Sequence, residues 1–251
     1  MYTSLKRFIK TILPGKVLRA AEPRLRAAWS ILYSGDKVHC SVCDRTFSKF
    51  IVLPETGEAL CPKCGSPPRK RLLWLFLEKE IKITGKKLKV LHFSPGRALK
   101  GKLKGMPDLE YITSDFESPY DDKQHDITAI DEADSVFDLV ICYHILEHIP
   151  DDHKAMQELH RILKPGGRAI LQVPLKDGPT VEDDSVSSPE KRKELFGQED
   201  HLRHYGTEDF ISRLEDAGFG VEKRTFTREL DQEVVQRNKL NTGELIIVCR
   251  K

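Results

Sequence analysis

An α/β fold on a doubly wound, seven-stranded sheet, preceded by a small four-cysteine module, is the class that this 251-residue sequence predicts. Three observations carry it. From residue 86 onward, short apolar runs of strand length alternate with helical stretches, the pattern of successive β-α units. One run, "FDLVICYHIL" (137–146), is apolar almost throughout, as a strand covered on both faces has to be. Upstream of the alternation stand two C-x-x-C pairs, Cys40/Cys43 and Cys61/Cys64.

Composition sets the outer limits. Hydrophobic residues make up 39% and charged residues 32% of the chain, so a globular protein with a sizeable core is expected. The longest apolar runs, such as "LLWLFL" (72–77), are far too short to cross a bilayer. "MYTSLKRFIKTIL" at the start has no unbroken apolar stretch and no small-residue cleavage site, so a secretory leader is not expected. Paired cysteines of ligand type fit a reducing compartment, and the expected location is the cytoplasm. The net charge of +2 is unevenly spread, because residues 1–39 hold eight Lys/Arg against two acids and the remainder sums to −4. The body is therefore not a basic nucleic-acid platform.

The elements follow in order. In residues 1–39, a basic helical arm, Leu5, Phe8, Ile9, Ile12 and Leu13 form one helical stripe, with Lys6, Arg7 and Lys10 opposite. Such a helix can lie on an anionic membrane surface or dock on the protein itself. A second helical pattern follows Pro23 through Leu25, Trp29 and Leu32. The cysteine module occupies 40–68, and "RKRLLWLFLEKE" predicts a linker helix within 69–85. The main domain, 86–251, has expected strands at 87–93, 109–114, 125–127, 137–144, 167–174, 220–226 and 244–250. Helices are expected at 97–104, 152–164 and 207–217, and the polar stretch 176–194 predicts a long loop or lid.

The turn after the first of these strands, "KVLHFSPGRALKGKL" (89–103), raises two nucleotide-site readings. Gly96, Gly101 and Lys102 fit most of a phosphate-binding loop, but Leu103 stands where a Ser or Thr must ligate magnesium. The partner acid is missing too, since the apolar strand closes on His144 and "DEAD" (131–134) precedes it. The other reading is an adenosyl site. Ligands of doubly wound sheets bind beyond the carboxyl ends of the strands, with an acid closing the second strand to hold ribose hydroxyls. Asp115, 19 positions after Gly96, is that acid. Asp126 would accept from an adenine amino group, with Ile127 against the ring.

"VLHFSPG", Asp115, "HDITAIDEADSVFDLVICYHILEHIPDD", "AMQELHRILKPGGRAILQVP" and "LEDAGF" together resemble a class I S-adenosyl-L-methionine (SAM)-dependent methyltransferase of the type-11 kind, over about residues 86–251. The resemblance implies a Rossmann-like domain with SAM as cofactor. Against the loop D-x-G-x-G-x-G that the family would carry, His92 replaces the acid, Ser94 the first glycine and Ala98 the last, leaving Gly96. The cofactor-site candidates are Phe93, Ser94, Pro95, Gly96, Asp115, Phe116, Asp126, Ile127 and Tyr143, with Arg97 placed to pair with the cofactor carboxylate. Catalytic candidates are His144 at the end of the fourth strand and His201 and His204 in "GQEDHLRHYG" (197–206), where Tyr205 is expected to contact the acceptor. Glu147 and His148 fall where the family carries a structural helix start.

Cys40, Cys43, Cys61 and Cys64, with 17 residues between the pairs, have the spacing of a four-cysteine zinc ribbon holding Zn2+, or iron in its place. Cys142 and Cys249 lie in apolar strands and read as core thiols. Residues 40–71 carry six basic and three acidic side chains, which permits RNA contact without demanding it. The expected function is methyl transfer from SAM to a small molecule or a saccharide. Two alternatives stay open: an RNA (rRNA-type) methyltransferase that uses the ribbon to contact RNA, and a SAM-binding regulatory protein without turnover.

Overall fold

The computed structural model describes residues 15–251, with side chains from residue 21 onward. The basic amphipathic stripe expected over 5–13 lies outside the described residues. The described residues divide into two compact units, one containing those up to Glu80 together with Thr227–Thr242, the other Ile81–Phe226 together with Gly243–Lys251.

In the first unit, helix α1 (Gly15–Ser30) runs through Pro23 rather than starting after it, and an i,i+4 pair between Glu22 and Arg26 at 3.1 Å bridges the proline. Two short antiparallel ladders follow. Strand β1 (Val38–Cys40) pairs with β2 (Arg45–Phe47), and β3 (Ile51–Val52) with β4 (Ala59–Leu60). The chain turns between β1 and β2 at Asp44, which takes a left-handed φ of 50°. Helix α2 (Pro68–Phe76) has its proline in the first turn, where no N–H is missed, and buries Leu72, Leu73, Trp74, Leu75 and Phe76. Arg71, on the same helix, is also fully buried. Its guanidinium donates to Asn238 O at 2.7 Å, to Ala59 O at 3.0 Å and to Ser66 O, and lies 4.3 Å over the Phe50 ring. A buried arginine thus stitches the ribbon to a short helix, Gln232–Arg237, from far along the chain.

The second unit is the α/β body. Its main sheet runs in the order β12-β13-β8-β7-β5-β6. Strands β5 (Leu88–Phe93), β6 (Leu109–Ser114), β7 (Phe137–Tyr143) and β8 (Leu163–Gln172) are parallel. At the other edge β13 (Ile246–Arg250) is antiparallel to both β8 and β12 (Gly220–Arg224). Alternate residues Leu91, Phe93, Val140, Cys142, Ala169, Leu171, Ile247 and Cys249 meet in one core cluster, as the two-residue period of strands dictates. Helix α4 (Asp152–Ile162) adds Ala155, Met156, Leu159 and Ile162 to that cluster and is capped by Asp151, whose carboxylate accepts from Lys154 N at 2.9 Å. Cys142 and Cys249 are buried thiols of this core, and burial pushes the Cys249 pKa up.

Between β5 and β6 lies α3 (Arg97–Lys104), and α6 (Thr207–Asp216) precedes β12. Among the described residues this sheet has six strands, not seven. The segment expected as a strand at 125–127 forms only isolated bridges, because Asp126 Oδ1 accepts from Thr128 N at 2.8 Å and Thr128 Oγ1 at 2.7 Å and folds the chain into a turn. The expected loop at 176–194 is also structured. Strands β9 (Leu175–Lys176) and β10 (Val181–Glu182) flank β11 (Arg203–Gly206) in a small sheet, and α5 (Pro189–Phe196) starts at a Ser188 cap. Its polar composition conceals it, because ladders two residues long leave no hydrophobic period. Gly206 is required there: a Cβ at this position would stand 2.1 Å from Gly178 O.

Candidate functional site

The carboxyl ends of β6, β5, β7 and β8 lie side by side in that order, and the two outer pairs, β5 with β6 and β7 with β8, are each tied by a backbone bond at the end of the ladder. Ser94 N donates to Ser114 O at 2.7 Å, and His144 N donates to Gln172 O at 2.8 Å. Both residues that leave the central strands are left-handed, Ser94 at φ 43° and His144 at φ 58°. Neither is glycine, so each turn holds local strain of the kind that concentrates at functional sites.

Of the cofactor-site candidates, Phe93 is buried under the loop, while Ser94 and Gly96 are exposed and Pro95 half-buried. Arg97 opens α3 at the surface. Asp115 closes β6, half-buried, and its Oδ1 accepts from Glu117 N at 3.0 Å and Ser118 N at 2.8 Å. Phe116, beside it, is 69% exposed. Asp126 is exposed, its carboxyl held below the ordinary range by the Thr128 hydrogen bonds, and Ile127 is buried. Tyr143 is buried at the end of β7, and burial holds its phenol well above the ordinary range. His92, in place of the family's acid, is fully buried and its Nδ1 lies 2.9 Å from Tyr111 Oη.

The histidines separate. His144 Nδ1 is 3.1 Å from Glu147 Oε1, and its Nε2 is buried with no partner. His201 is buried, with Nδ1 3.0 Å from Phe196 O, and its ring meets His148 edge-on at 4.8 Å between centroids. His204 lies on β11 opposite Val181, and burial pushes its pKa down. Tyr205 contradicts its expected role as an acceptor contact. It is fully buried, its hydroxyl donating to Asp152 Oδ2 at 2.6 Å, because Asp152, Arg203, Arg213 and Glu182 form one internal ion-pair network around it. Sequence reasoning gave Glu147 only a structural role at a helix start; its side chain is 1% exposed and meets His144. The sequence signal for that contact was its i+3 spacing from His144, which puts both on one turn.

The four ribbon cysteines converge. Cys40 Sγ is 3.6 Å from Cys64 Sγ, Cys43 Sγ is 3.7 Å from Cys61 Sγ, and all four sulfurs lie within 4.8 Å of one another. A tetrahedral ion with metal–sulfur bonds of about 2.3 Å spaces its sulfurs about 3.8 Å apart, whereas a disulfide needs about 2.05 Å. The geometry therefore fits a four-thiolate metal site. Cys64 N points at Cys61 Sγ at 3.5 Å and Ser66 Oγ lies 3.0 Å from Cys64 Sγ, both suited to stabilising thiolates. Hydrogen bonding with the other three thiols, then burial, holds the Cys40 thiol far above its ordinary value, while the same set of contacts lowers Cys64. Four thiolates cannot ionise together in so small a volume without a cation.

The family described as methyltransferase domain matches residues 79–224, more than half of the chain. Among curated proteins, the uncharacterized protein YafE of Escherichia coli K12 is 31% identical over 90 residues, covering 36% of this chain and 42% of that protein. The ubiquinone biosynthesis O-methyltransferase of Pseudomonas paraeruginosa is 42% identical over 41 residues, 16% of this chain and 18% of that enzyme. The chain thus spans less than half the length of these curated relatives. Among solved structures, the 1,6-didemethyltoxoflavin-N1-methyltransferase of Burkholderia thailandensis, bound to its substrate and S-adenosylhomocysteine, is 17% identical, with 70% of this chain and 75% of that one covered and a TM-score of 0.46. Among the described residues, no helix is long and apolar enough to cross a membrane. With the family matched across the strands, turns and helices just described, this chain belongs to the family described as methyltransferase domain.

Proposed function

We propose that this protein transfers a methyl group from SAM to a small-molecule or saccharide acceptor at the carboxyl ends of β5, β6 and β7. The observation that supports this best is the pair of left-handed strand exits, Ser94 and His144, flanking Asp115 within a methyltransferase domain. Ser94, Pro95 and Gly96 would lie under the methionine end of SAM, Asp115 would accept from its ribose hydroxyls, and Phe116, Asp126 and Ile127 would border its adenine. SAM, when bound, supplies an electrophilic methyl on a positively charged sulfur.

The chain's own part is to align the acceptor and take its proton. As the acceptor atom forms its bond to the methyl carbon, the carbon–sulfur bond breaks and the acceptor loses its proton to a base. His144 fits that role. Glu147 holds its Nδ1, and the unpartnered Nε2 is costly to leave bare, so an acceptor hydroxyl bound there would relieve that cost. His201 and His204 remain candidates to face the acceptor; burial pushes the His204 pKa down, which favours its neutral form.

In the ribbon we propose Zn2+ on Cys40, Cys43, Cys61 and Cys64, holding the hairpins together. An RNA-binding role for the ribbon is weakened by the use of its charges. Arg71 is wholly buried on carbonyls, and Arg69 pairs with Glu58.

Calorimetry with SAM and S-adenosylhomocysteine tests the cofactor reading. Asp115→Ala is expected to weaken binding by about tenfold, the loss of one hydrogen bond of about 1.4 kcal/mol. Unchanged affinity would move the ribose elsewhere. Radiolabelled methyl transfer into separated small-molecule, saccharide and RNA pools then identifies the acceptor class, and binding without any transfer would favour the regulatory alternative.

A further inference from the structure

The turn after β7 and the segment leading into β11 bring three ligand-type side chains together outside the ribbon. Glu147, His148 and His201 each offer one ligand atom, and these atoms lie within 4.8 Å of one another. The two segments are tied by Leu202 N donating to Glu147 O at 2.9 Å, so the grouping is built into the backbone.

The histidines are oriented as metal ligands are. His148 Nδ1 is 3.2 Å from Asp200 O, and His201 Nδ1 is 3.0 Å from Phe196 O. A carbonyl oxygen can only accept, so both rings carry their proton on Nδ1 and leave the Nε2 lone pair to ligate. Anchoring of the remote ring N–H by a carbonyl is the usual support of a ligating imidazole. Glu147 is the independent sign. Its side chain is 1% exposed, Oε1 faces His144 Nδ1 at 3.1 Å, and Oε2 is buried with no hydrogen-bond partner. A buried carboxylate oxygen without a hydrogen-bond partner is costly, and a cation bound there would remove the cost.

We propose that Glu147, His148 and His201 bind a divalent transition-metal ion of the zinc or cobalt kind. Two imidazoles and one carboxylate favour such ions over magnesium or calcium, which take shells of oxygen. Three protein ligands leave a fourth position open to water or to an oxygen of a bound molecule, unlike the closed four-thiolate set of the ribbon.

The test is metal content by mass spectrometry on the full chain, with no cofactor present, after equilibration with Zn2+ and removal of unbound ion. Two ions per chain are expected, one of them lost in His148→Gln and in Glu147→Gln, and the other lost in Cys61→Ser. His148 is partly exposed, so its replacement tests the site with the least demand on folding. Co2+ in Cys61→Ser should give ligand-field absorption without a thiolate charge-transfer band. One ion per chain in the parent protein, or two retained in both His148→Gln and Glu147→Gln, overturns the proposal.

Discussion

Arg203→Met puts the internal network of the second unit to a quantitative test. Arg203 is 4% exposed and donates to Glu182 Oε2 at 2.8 Å, to Leu146 O at 3.3 Å, to Pro150 O at 2.9 Å and to Ile149 O. Three of its four acceptors are carbonyls of the turn that carries Glu147 and His148. Methionine fills much the same volume, so little cavity is created, but those carbonyls lose their donor at roughly 1 kcal/mol each. Glu182 keeps Arg213 and is partly exposed, so its loss adds about 0–1 kcal/mol. The expected destabilisation is about 3–4 kcal/mol, in line with removal of one partner from a buried ion pair. For a chain of this size that is a Tm drop of roughly 6–16 °C. Urea unfolding followed by far-UV circular dichroism is the assay, because Trp29 and Trp74 both lie in the other unit. Arg203→Lys, which keeps the charge but not the planar fork, should fall between. A loss below about 1 kcal/mol for Arg203→Met would refute the claim that this side chain holds the turn.

Two further outcomes follow from the same physical reasoning. Chelation, or Cys61→Ser, should unfold the ribbon and shift the emission of Trp29 and Trp74 to the red while the α/β body keeps its dichroism, since structural zinc contributes about 10–16 kcal/mol to such modules; unchanged emission after complete metal removal would sink the structural role. Burial depresses the pKa of His125, which faces Glu132 and Lys123, and of His160, which faces Lys251. The unfolded chain therefore binds their protons first as pH falls below about 6.5, so the urea midpoint should be flat just above that value and decline as the pH falls below it. A midpoint that rises as the pH falls would contradict the sign.

Much of this molecule is legible in one dimension. The two C-x-x-C pairs state their chemistry by spacing, and "FDLVICYHIL" states its burial by lacking any polar face. The place of Asp115 directly after β6 was legible because an acid closing a strand is a local feature. The failures are equally local in origin. "HDI" offered three residues with no run to sustain a ladder, and the turn made by Asp126 and Thr128 prevailed. The small sheet of β9, β10 and β11 has strands too short to show a period. Tyr205, in a stretch of charged residues, read as an exposed contact because sequence records its neighbours in the chain and not its neighbours in space.

What the sequence determined by itself, then, is the convergence of four cysteines and the alternating body, because each depends on residue type at fixed spacing. The tertiary structure decided which side chains meet. Glu147 and His201 stand more than fifty residues apart and come together only because a backbone bond from Leu202 and the buried guanidinium of Arg203 close the segment before β11 onto the turn after β7. Those bonds join groups that no periodicity relates, so only the folded chain reveals them.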